Sequence, residues 1–162
     1  MNYFELFDIP VGPSVDRAVI SRNYIDLQKK FHPDFFTNSG EDEQEDVLQK
    51  SADINKAYKI FQVPEKTVEY FLSISGLMVQ GEKYDLPKEF LMEMMELNES
   101  LTEDVKLATT SIENFENRLD TETKNIVDNY WIGVTDGESL QHLKLNYYKK
   151  KYLQRILERL GD

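Results

Sequence analysis

The residues best suited to chemistry are a histidine and an aspartate separated by one proline, in the stretch KKFHPDFF that ends at Phe36. His32 could act as a general base with Asp34 as the carboxylate that orients it. That chemistry also needs a nucleophile, and the chain has no G-x-S-x-G or similar signature. One histidine and one aspartate are too few ligands for a closed metal site. We therefore expect no enzyme activity, no catalytic residue, no metal site and no cofactor. The tripeptide alone also fits a plain helix stop, because Pro33 disfavours helical geometry at His32.

The composition narrows the class of protein further. The chain has 162 residues, of which 40% are hydrophobic, so it is long and apolar enough to bury a core. Its net charge of −11 argues against nucleic acid or an anionic membrane as a partner, since both attract positive surfaces. It has no cysteine, which excludes disulfides, zinc fingers and thiolate nucleophiles. The N-terminal MNYFELFDIP has no targeting features and no apolar run is long enough to span a membrane, so we expect a cytoplasmic protein.

The hydrophobic pattern predicts an all-α protein. In the first half it predicts two antiparallel helices joined by a loop that carries His-Pro-Asp. Asp16 is placed to cap the first of these helices, which should end near Phe31, and a polar loop is expected from Thr37 to Asp46. A further helix should begin at Pro64 and stop at Gly76. The two apolar stripes of the hairpin are Ile20, Tyr24, Leu27 and Phe31 in the first helix and Val47, Ser51, Ile54, Tyr58 and Phe61 in the second.

The second half reads as a small bundle of three helices. Two glycines and a proline between Ser75 and Pro87 indicate a boundary, so we expect one domain over 1–76, a linker over 77–86 and the bundle over 87–162. The second helix of the bundle is expected from about Ser111 to Trp131, with Trp131 in the core. The third should be capped by Asp136 or Ser139 and end at Gly161. The first helix has a predicted core stripe of Phe90, Met94, Leu97, Leu101 and Val105.

The stretch FLMEMMELNESLTE in this first bundle helix carries more apolar side chains than its core stripe needs. Leu91, Met92 and Met95 lie beside the stripe, and a helix in a three-helix bundle cannot easily bury so wide an apolar arc. Glutamates border them at spacings of three and four. The methionines could be adaptable core filler, or the patch could be a surface that binds another protein, and the periodicity leaves both interpretations open.

The first seventy-odd residues resemble the J-domain in the order and spacing of their motifs. A short aromatic segment YFELFDIP comes first, then a helix with basic residues outside its core face, then His-Pro-Asp and a second helix. In that family this surface docks on a DnaK-type chaperone and stimulates ATP hydrolysis. The chain departs from the family at Phe35, where J-domains often have lysine or arginine. The resemblance assigns chaperone binding to His32, Pro33, Asp34, Arg22, Lys29 and Lys30.

Over nearly its whole length the chain is similar to the HscB type, also called Jac type, the J-domain co-chaperones of iron–sulfur cluster biogenesis. The stretches that carry the likeness are RNYIDLQKKFHPD, QKSADINKAYKIF, VEYFLSISGL and FLMEMMELNESLTE. The resemblance implies an N-terminal J-domain, a C-terminal three-helix bundle, and two partners, an HscA- or DnaK-type ATPase and an IscU-type cluster scaffold. Scaffold binding is thereby assigned to Leu91, Met92, Met95, Glu96, Glu99, Glu103 and Leu145.

The expected function is delivery of the scaffold to the chaperone, with stimulation of its ATPase and transfer of the cluster. We expect a monomer. One alternative is a J-domain adaptor that delivers a different client to a general DnaK-type chaperone. Another is a helical interaction protein in which His-Pro-Asp occurs by chance.

Overall fold

The computed structural model describes residues 1–131 and 133–160, with the side chain of Leu160 excepted. Helices and their connections make up all of this described part, which contains no strand, so the all-α prediction is confirmed. No helix in these two ranges is long and apolar enough to cross a membrane. A 3₁₀ helix spans Pro33–Phe36, and the α-helices are α1 (Tyr3–Leu6), α2 (Arg17–Phe31), α3 (Glu41–Phe61), α4 (Pro64–Ile74), α5 (Lys88–Glu103), α6 (Val105–Asp128) and α7 (Gly137–Leu160).

The chain divides into two compact units, the first being Met1–Gly76 and the second beginning at Leu77. The division falls where α4 ends. Ser75 caps this helix, and Gly76 follows in the left-handed region with φ of 75°. Glycine is the usual residue in that conformation because it has no Cβ to clash with the backbone. The predicted stop at Gly76 is therefore confirmed.

The first unit is built on the antiparallel pair α2 and α3. The Asp16 carboxylate accepts a hydrogen bond from the Ala18 amide at 2.9 Å, so the predicted cap of α2 is confirmed. The short helix α1 brings two buried aromatic rings onto the end of α3. Phe4 and Phe7 lie 5.1 and 5.5 Å from the ring of Phe61, measured between ring centroids. These aromatic contacts fix α1 against the hairpin, and Tyr70 of α4 meets the Phe61 ring edge to face at 6.4 Å.

The start of α3 was predicted too late. The sequence suggested a loop through Asp46, whereas α3 begins at Glu41. Its first turn contains Glu41, Asp42 and Glu43, which were read as loop residues because they are polar. Negative side chains in a first turn stabilise the positive end of the helix dipole, so these acidic residues favour the helix.

The second unit is a bundle in which α5 and α7 each pack along α6. Its apolar core contains the predicted Phe90 and Met94, both buried, and an edge-to-face contact joins Phe90 to Tyr152 of α7 at 5.7 Å. Leu97 and Leu101 pack against this core while remaining partly exposed. The buried members of the core are Phe90, Met94, Ile112, Leu119, Leu153 and Ile156.

Three predictions for the bundle were wrong. Helix α6 begins at Val105, well before Ser111, because the Asp104 side chain accepts from the Leu107 amide at 3.1 Å and starts a helix directly after α5. Val105 is consequently exposed instead of lying in the core. Trp131 follows the end of α6 and is 70% exposed, so it is not a core residue either.

The start of α7 agrees with the sequence. Asp136 accepts from the Ser139 amide at 2.8 Å, and this hydrogen bond lowers the pKa of the Asp136 carboxyl. The predicted end of α7 at Gly161 lies outside the described residues.

The segment between α4 and α5 packs on α7. Met78 is buried, and Tyr84 stacks on Tyr148 with ring centroids 4.3 Å apart. Glu82 accepts hydrogen bonds from the Tyr148 hydroxyl at 2.8 Å and from Lys144 at 3.3 Å. These two donors, the hydroxyl above all, lower the pKa of the Glu82 carboxyl. The segment expected to be a linker is therefore held on the bundle by specific side-chain contacts.

Candidate docking surfaces

His-Pro-Asp forms an exposed corner between α2 and the 3₁₀ helix. His32 ends α2 and also caps the 3₁₀ helix, with an extended backbone of φ −68° and ψ 129°. Its Nδ1 accepts a hydrogen bond from the Asp34 amide at 3.2 Å. Pro33 occupies the first position of the 3₁₀ helix, where its missing amide leaves no partner unsatisfied. The corner therefore holds His32 and Asp34 in fixed positions while both side chains face solvent.

The geometry of this corner fits a capping turn better than a catalytic pair. Because Nδ1 accepts the Asp34 amide hydrogen, the proton of the neutral imidazole lies on Nε2. An orienting carboxylate in a catalytic pair would instead accept a hydrogen bond from a protonated Nδ1. The Asp34 carboxylate lies 3.6 Å from Nδ1, too far for a strong hydrogen bond. The described residues also hold no cluster of three or more histidine and acidic side chains that could bind a metal.

Three cations accompany the corner on α2. Arg22, Lys29 and Lys30 are all exposed, and Lys29 and Lys30 occupy the last turn, where positive charge stabilises the helix dipole. Within the described part of the chain, none of the three forms an ion pair or hydrogen bond through its side chain. By contrast, Lys144 and Lys150 of the bundle pair with carboxylates. The corner thus carries three cations that form no ion pair with the exposed carboxylates nearest to them, Asp26 and Asp34.

Polar and aromatic contacts across the hairpin hold α2 in register with α3. The rings of Tyr24 and Tyr58 stack at 3.9 Å. Asn55 of α3 accepts hydrogen bonds from the Tyr24 hydroxyl at 2.9 Å and from Gln28 at 3.0 Å. Sequence reasoning assigned no role to Asn55, because its partners lie on another helix and no periodicity predicts them.

Gln44 of α3 supports the loop that follows His-Pro-Asp. Its amide nitrogen lies 3.1, 3.1 and 3.0 Å from the carbonyl oxygens of Phe36, Thr37 and Ser39. The two amide hydrogens are thus shared among three carbonyls that would otherwise need water. Sequence reasoning missed Gln44 as well, since it was assigned to the loop that it organises.

The candidate scaffold surface lies on the side of α5 that faces away from the bundle core. Met92 and Met95 are 53% and 61% exposed, which rules out the core-filler interpretation for these two side chains. Four residues at spacings of four, three and four form a single stripe about 17 Å long on this side. The stripe consists of Met92, Glu96, Glu99 and Glu103, all exposed, with Met95 at its edge.

The other two predicted scaffold residues are less accessible. Leu91 is half-buried and packs against the bundle core. Leu145 of α7 is also half-buried. It shares a helical stripe with Lys149 and Tyr152, which both contact Phe90, so it faces the beginning of α5. The structure thus gathers the α5 residues on one exposed face, with Leu91 and Leu145 at its inner margin.

Comparisons with known proteins identify relatives for both units. A protein-family model described as "HSCB C-terminal oligomerisation domain" matches residues 86–161. The chain is 43% identical over 104 residues to the "Co-chaperone protein HscB homolog" of Vibrio vulnificus strain YJ016, an alignment that covers 64% of this chain and 61% of the relative. The protein of the same name from Aliivibrio salmonicida is 41% identical over 102 residues, covering 62% and 60%.

Two solved structures resemble the whole chain. "Chaperone HscB from Vibrio cholerae" is 28% identical with a TM-score of 0.58, and the likeness covers 99% of both chains. The crystal structure of human co-chaperone protein HscB is 27% identical with a TM-score of 0.75, and the likeness covers 99% of this chain and 81% of that one. These likenesses confirm the predicted fold class, an N-terminal J-domain followed by a C-terminal helical bundle.

Proposed function

We propose that this chain is an HscB-type protein, a co-chaperone of iron–sulfur cluster biogenesis with no reaction of its own. It binds an IscU-type scaffold through its bundle, brings that scaffold to an HscA- or DnaK-type chaperone, and stimulates the chaperone's ATPase through His-Pro-Asp. The setting we propose is the cytoplasm. Delivery of the scaffold then promotes transfer of its cluster to acceptor proteins.

The chaperone surface combines a rigid exposed corner with unpaired cations. His32, Pro33 and Asp34 are fixed by the backbone hydrogen bonds of two helix ends, so little conformational freedom is lost on binding. Arg22, Lys29 and Lys30 supply positive charge in a chain whose net charge is −11. Such a local reversal of sign orients the protein toward an acidic patch on its partner and raises the association rate.

The scaffold surface has the opposite charge. Its exposed methionines can adapt to an apolar partner, and the glutamates of the same stripe favour a partner that carries lysine or arginine. An exposed apolar patch with a charged border is typical of a protein-binding site. Leu91 and Leu145 would extend its apolar part toward α7.

The observation that carries the proposal is the presence of two exposed surfaces of opposite charge on two separate units of one chain. A scaffold held by the bundle and a chaperone held by the J-domain would then meet as parts of one complex. Their effective concentration is set by the connecting chain and not by their free concentrations.

The proposal is tested by steady-state ATP hydrolysis of a purified HscA-type chaperone, with and without an IscU-type scaffold. We expect wild-type protein and scaffold together to stimulate hydrolysis more than either alone, and His32→Gln to abolish the effect. His142→Gln is the matched control, because its side chain is 48% exposed against 46% for His32 and lies on the bundle.

The outcomes separate the proposal from its alternatives. Stimulation that the scaffold does not increase would favour an adaptor for a different client. If the protein stimulates only a general DnaK-type chaperone, that chaperone is its partner in place of a dedicated HscA-type one. If no chaperone responds to the wild-type protein, His-Pro-Asp is only a helix stop and the co-chaperone role is excluded.

A further inference from the structure

A shallow groove runs beside the His-Pro-Asp corner in the first unit. Its volume is about 310 Å³, and its surface is almost entirely apolar. Two of its side chains are large, apolar and open to solvent, Ile25 at 54% exposure and Phe35 at 69%. The lining residues are Tyr24, Ile25, Gln28, Lys29, His32 and Phe35.

Phe35 is fixed in this exposed position by its surroundings. Its amide donates to the His32 carbonyl at 3.0 Å, and its ring meets the His32 imidazole edge to face at 5.9 Å. The loop that follows is held by Gln44 through the carbonyls of Phe36, Thr37 and Ser39. A ring that is both ordered and solvent-exposed is prepared to bind an apolar group, since little motion is lost on contact.

The charges around the groove specify what can occupy it. Lys29 lines the groove itself, while Arg22 and Lys30 lie nearby on the same helix, and no described carboxylate pairs with any of the three. A complementary partner therefore presents an aliphatic side chain flanked by aspartate or glutamate. Nucleic acid would meet the cations, but it offers no aliphatic side chain for the groove.

We propose that Phe35 and Ile25 form an apolar subsite of the chaperone-docking surface, which receives an aliphatic side chain from an acidic segment of the chaperone. This inference rests on the proposed function and assigns a specificity-determining role to Phe35. In place of a basic contact after Asp34, the chain makes an apolar one. Apolar contacts are not screened by salt, so docking depends on ionic strength less steeply than a purely basic surface would.

The test compares activation of the HscA-type chaperone by wild-type protein, Phe35→Ala, Ile25→Ala and Phe35→Lys. For each alanine variant, the protein concentration that gives half-maximal activation should rise about tenfold, because one apolar side chain that docking would bury is lost. Leu48→Ala is the matched control, because Leu48 is an exposed apolar residue of the same unit that does not line the groove. Circular dichroism should show unchanged helicity, since the altered side chains are exposed.

The dependence of activation on salt concentration distinguishes an apolar subsite from a general weakening of docking. Raising the salt concentration from about 0.05 M to about 0.5 M should weaken chaperone activation by Phe35→Lys much more than activation by the wild type. If Phe35→Ala and Ile25→Ala behave like Leu48→Ala while His32→Gln abolishes activation, the subsite is refuted and the proposed function stands. If the wild type activates no HscA- or DnaK-type chaperone, both proposals fail.

Discussion

Single polar residues decide how the exposed corner of the J-domain is held. Gln44 and Asn55 belong to α3, yet their side chains bind the loop after His-Pro-Asp and the side chains of α2. Neither residue lines the groove proposed to dock on a chaperone, although Asn55 bonds two of its lining residues, Tyr24 and Gln28. They affect that surface indirectly, because they hold in place the two segments that carry its residues, helix α2 and the loop after His-Pro-Asp.

Replacing Gln44 by methionine should destabilise the first unit. The change keeps the size of the side chain but removes the two hydrogens that serve three carbonyls, at a cost of about 1–2 kcal/mol in the free energy of unfolding. Chemical denaturation followed by circular dichroism measures this loss. Gln49→Met is the matched control, because Gln49 makes one exposed bond to Asp53 on its own helix and should cost less than about 0.5 kcal/mol. Equal losses for the two variants would refute the role of Gln44.

Charge reversal on α5 tests the proposed scaffold surface at one residue. Glu99→Lys should weaken binding of an IscU-type scaffold about tenfold, because it places a like charge opposite the expected cations of the partner. Isothermal titration calorimetry gives the dissociation constant. Glu93→Lys makes the same change at an exposed position of the same helix, away from the stripe, and should bind as the wild type does. Weakening by Glu93→Lys to the same extent would point to general electrostatics and not to a defined site.

Among the elements, the segment between α4 and α5 behaves as part of the bundle. Glu82 binds Tyr148 and Lys144 on α7, and Tyr84 stacks on Tyr148. These contacts explain why the segment has a defined path although its glycines and proline are typical of a flexible connection. A local reading of composition could not find them, since the partners are 62 and 66 residues apart in the chain.

The contacts of Glu82 should make the stability of the bundle depend on pH. The pKa of the folded carboxyl lies below its usual 4.5, so Glu82 stabilises the fold above that value and loses this effect as the pH falls through the folded pKa. Glu82→Gln should therefore be less stable than the wild type at neutral pH, and the difference should shrink in acid. Thermal denaturation across this range measures it. A difference that stays constant down to strongly acidic pH would show that the charge of Glu82 contributes nothing.

At the scale of the whole molecule, the prediction concerns the oligomeric state. We expect a monomer, whereas the matching family is described as an oligomerisation domain. Sedimentation velocity should give a mass near 19.0 kDa at all accessible concentrations. If a dimer appears, Met92→Lys shows whether its interface is the α5 stripe, since a charge at the centre of an apolar contact would dissociate it. Dissociation by this change would mean that the stripe binds a second copy as well as, or instead of, a scaffold.

The sequence by itself determined the helical class, most helix ends and the identity of the two candidate surfaces. Those features depend on neighbours in the chain: the apolar period of α2, the cap at Asp16, the stop before Pro33 and the left-handed glycine at Gly76. The likeness to a known family, carried by the same local stretches, supplied the roles of the surfaces.

Only the tertiary structure decided which side chains of those patterns are exposed. Periodicity could not tell whether Met92 and Met95 face the core or solvent, because that depends on where α6 and α7 pack. The same reason explains why Val105 and Trp131 were wrongly predicted to lie in the core, since no helix packs over their apolar side chains. The groove beside Phe35 and the support from Gln44 also join residues of different elements. Contacts between elements are set by packing in three dimensions, and one sequence without its fold does not encode them in any local pattern.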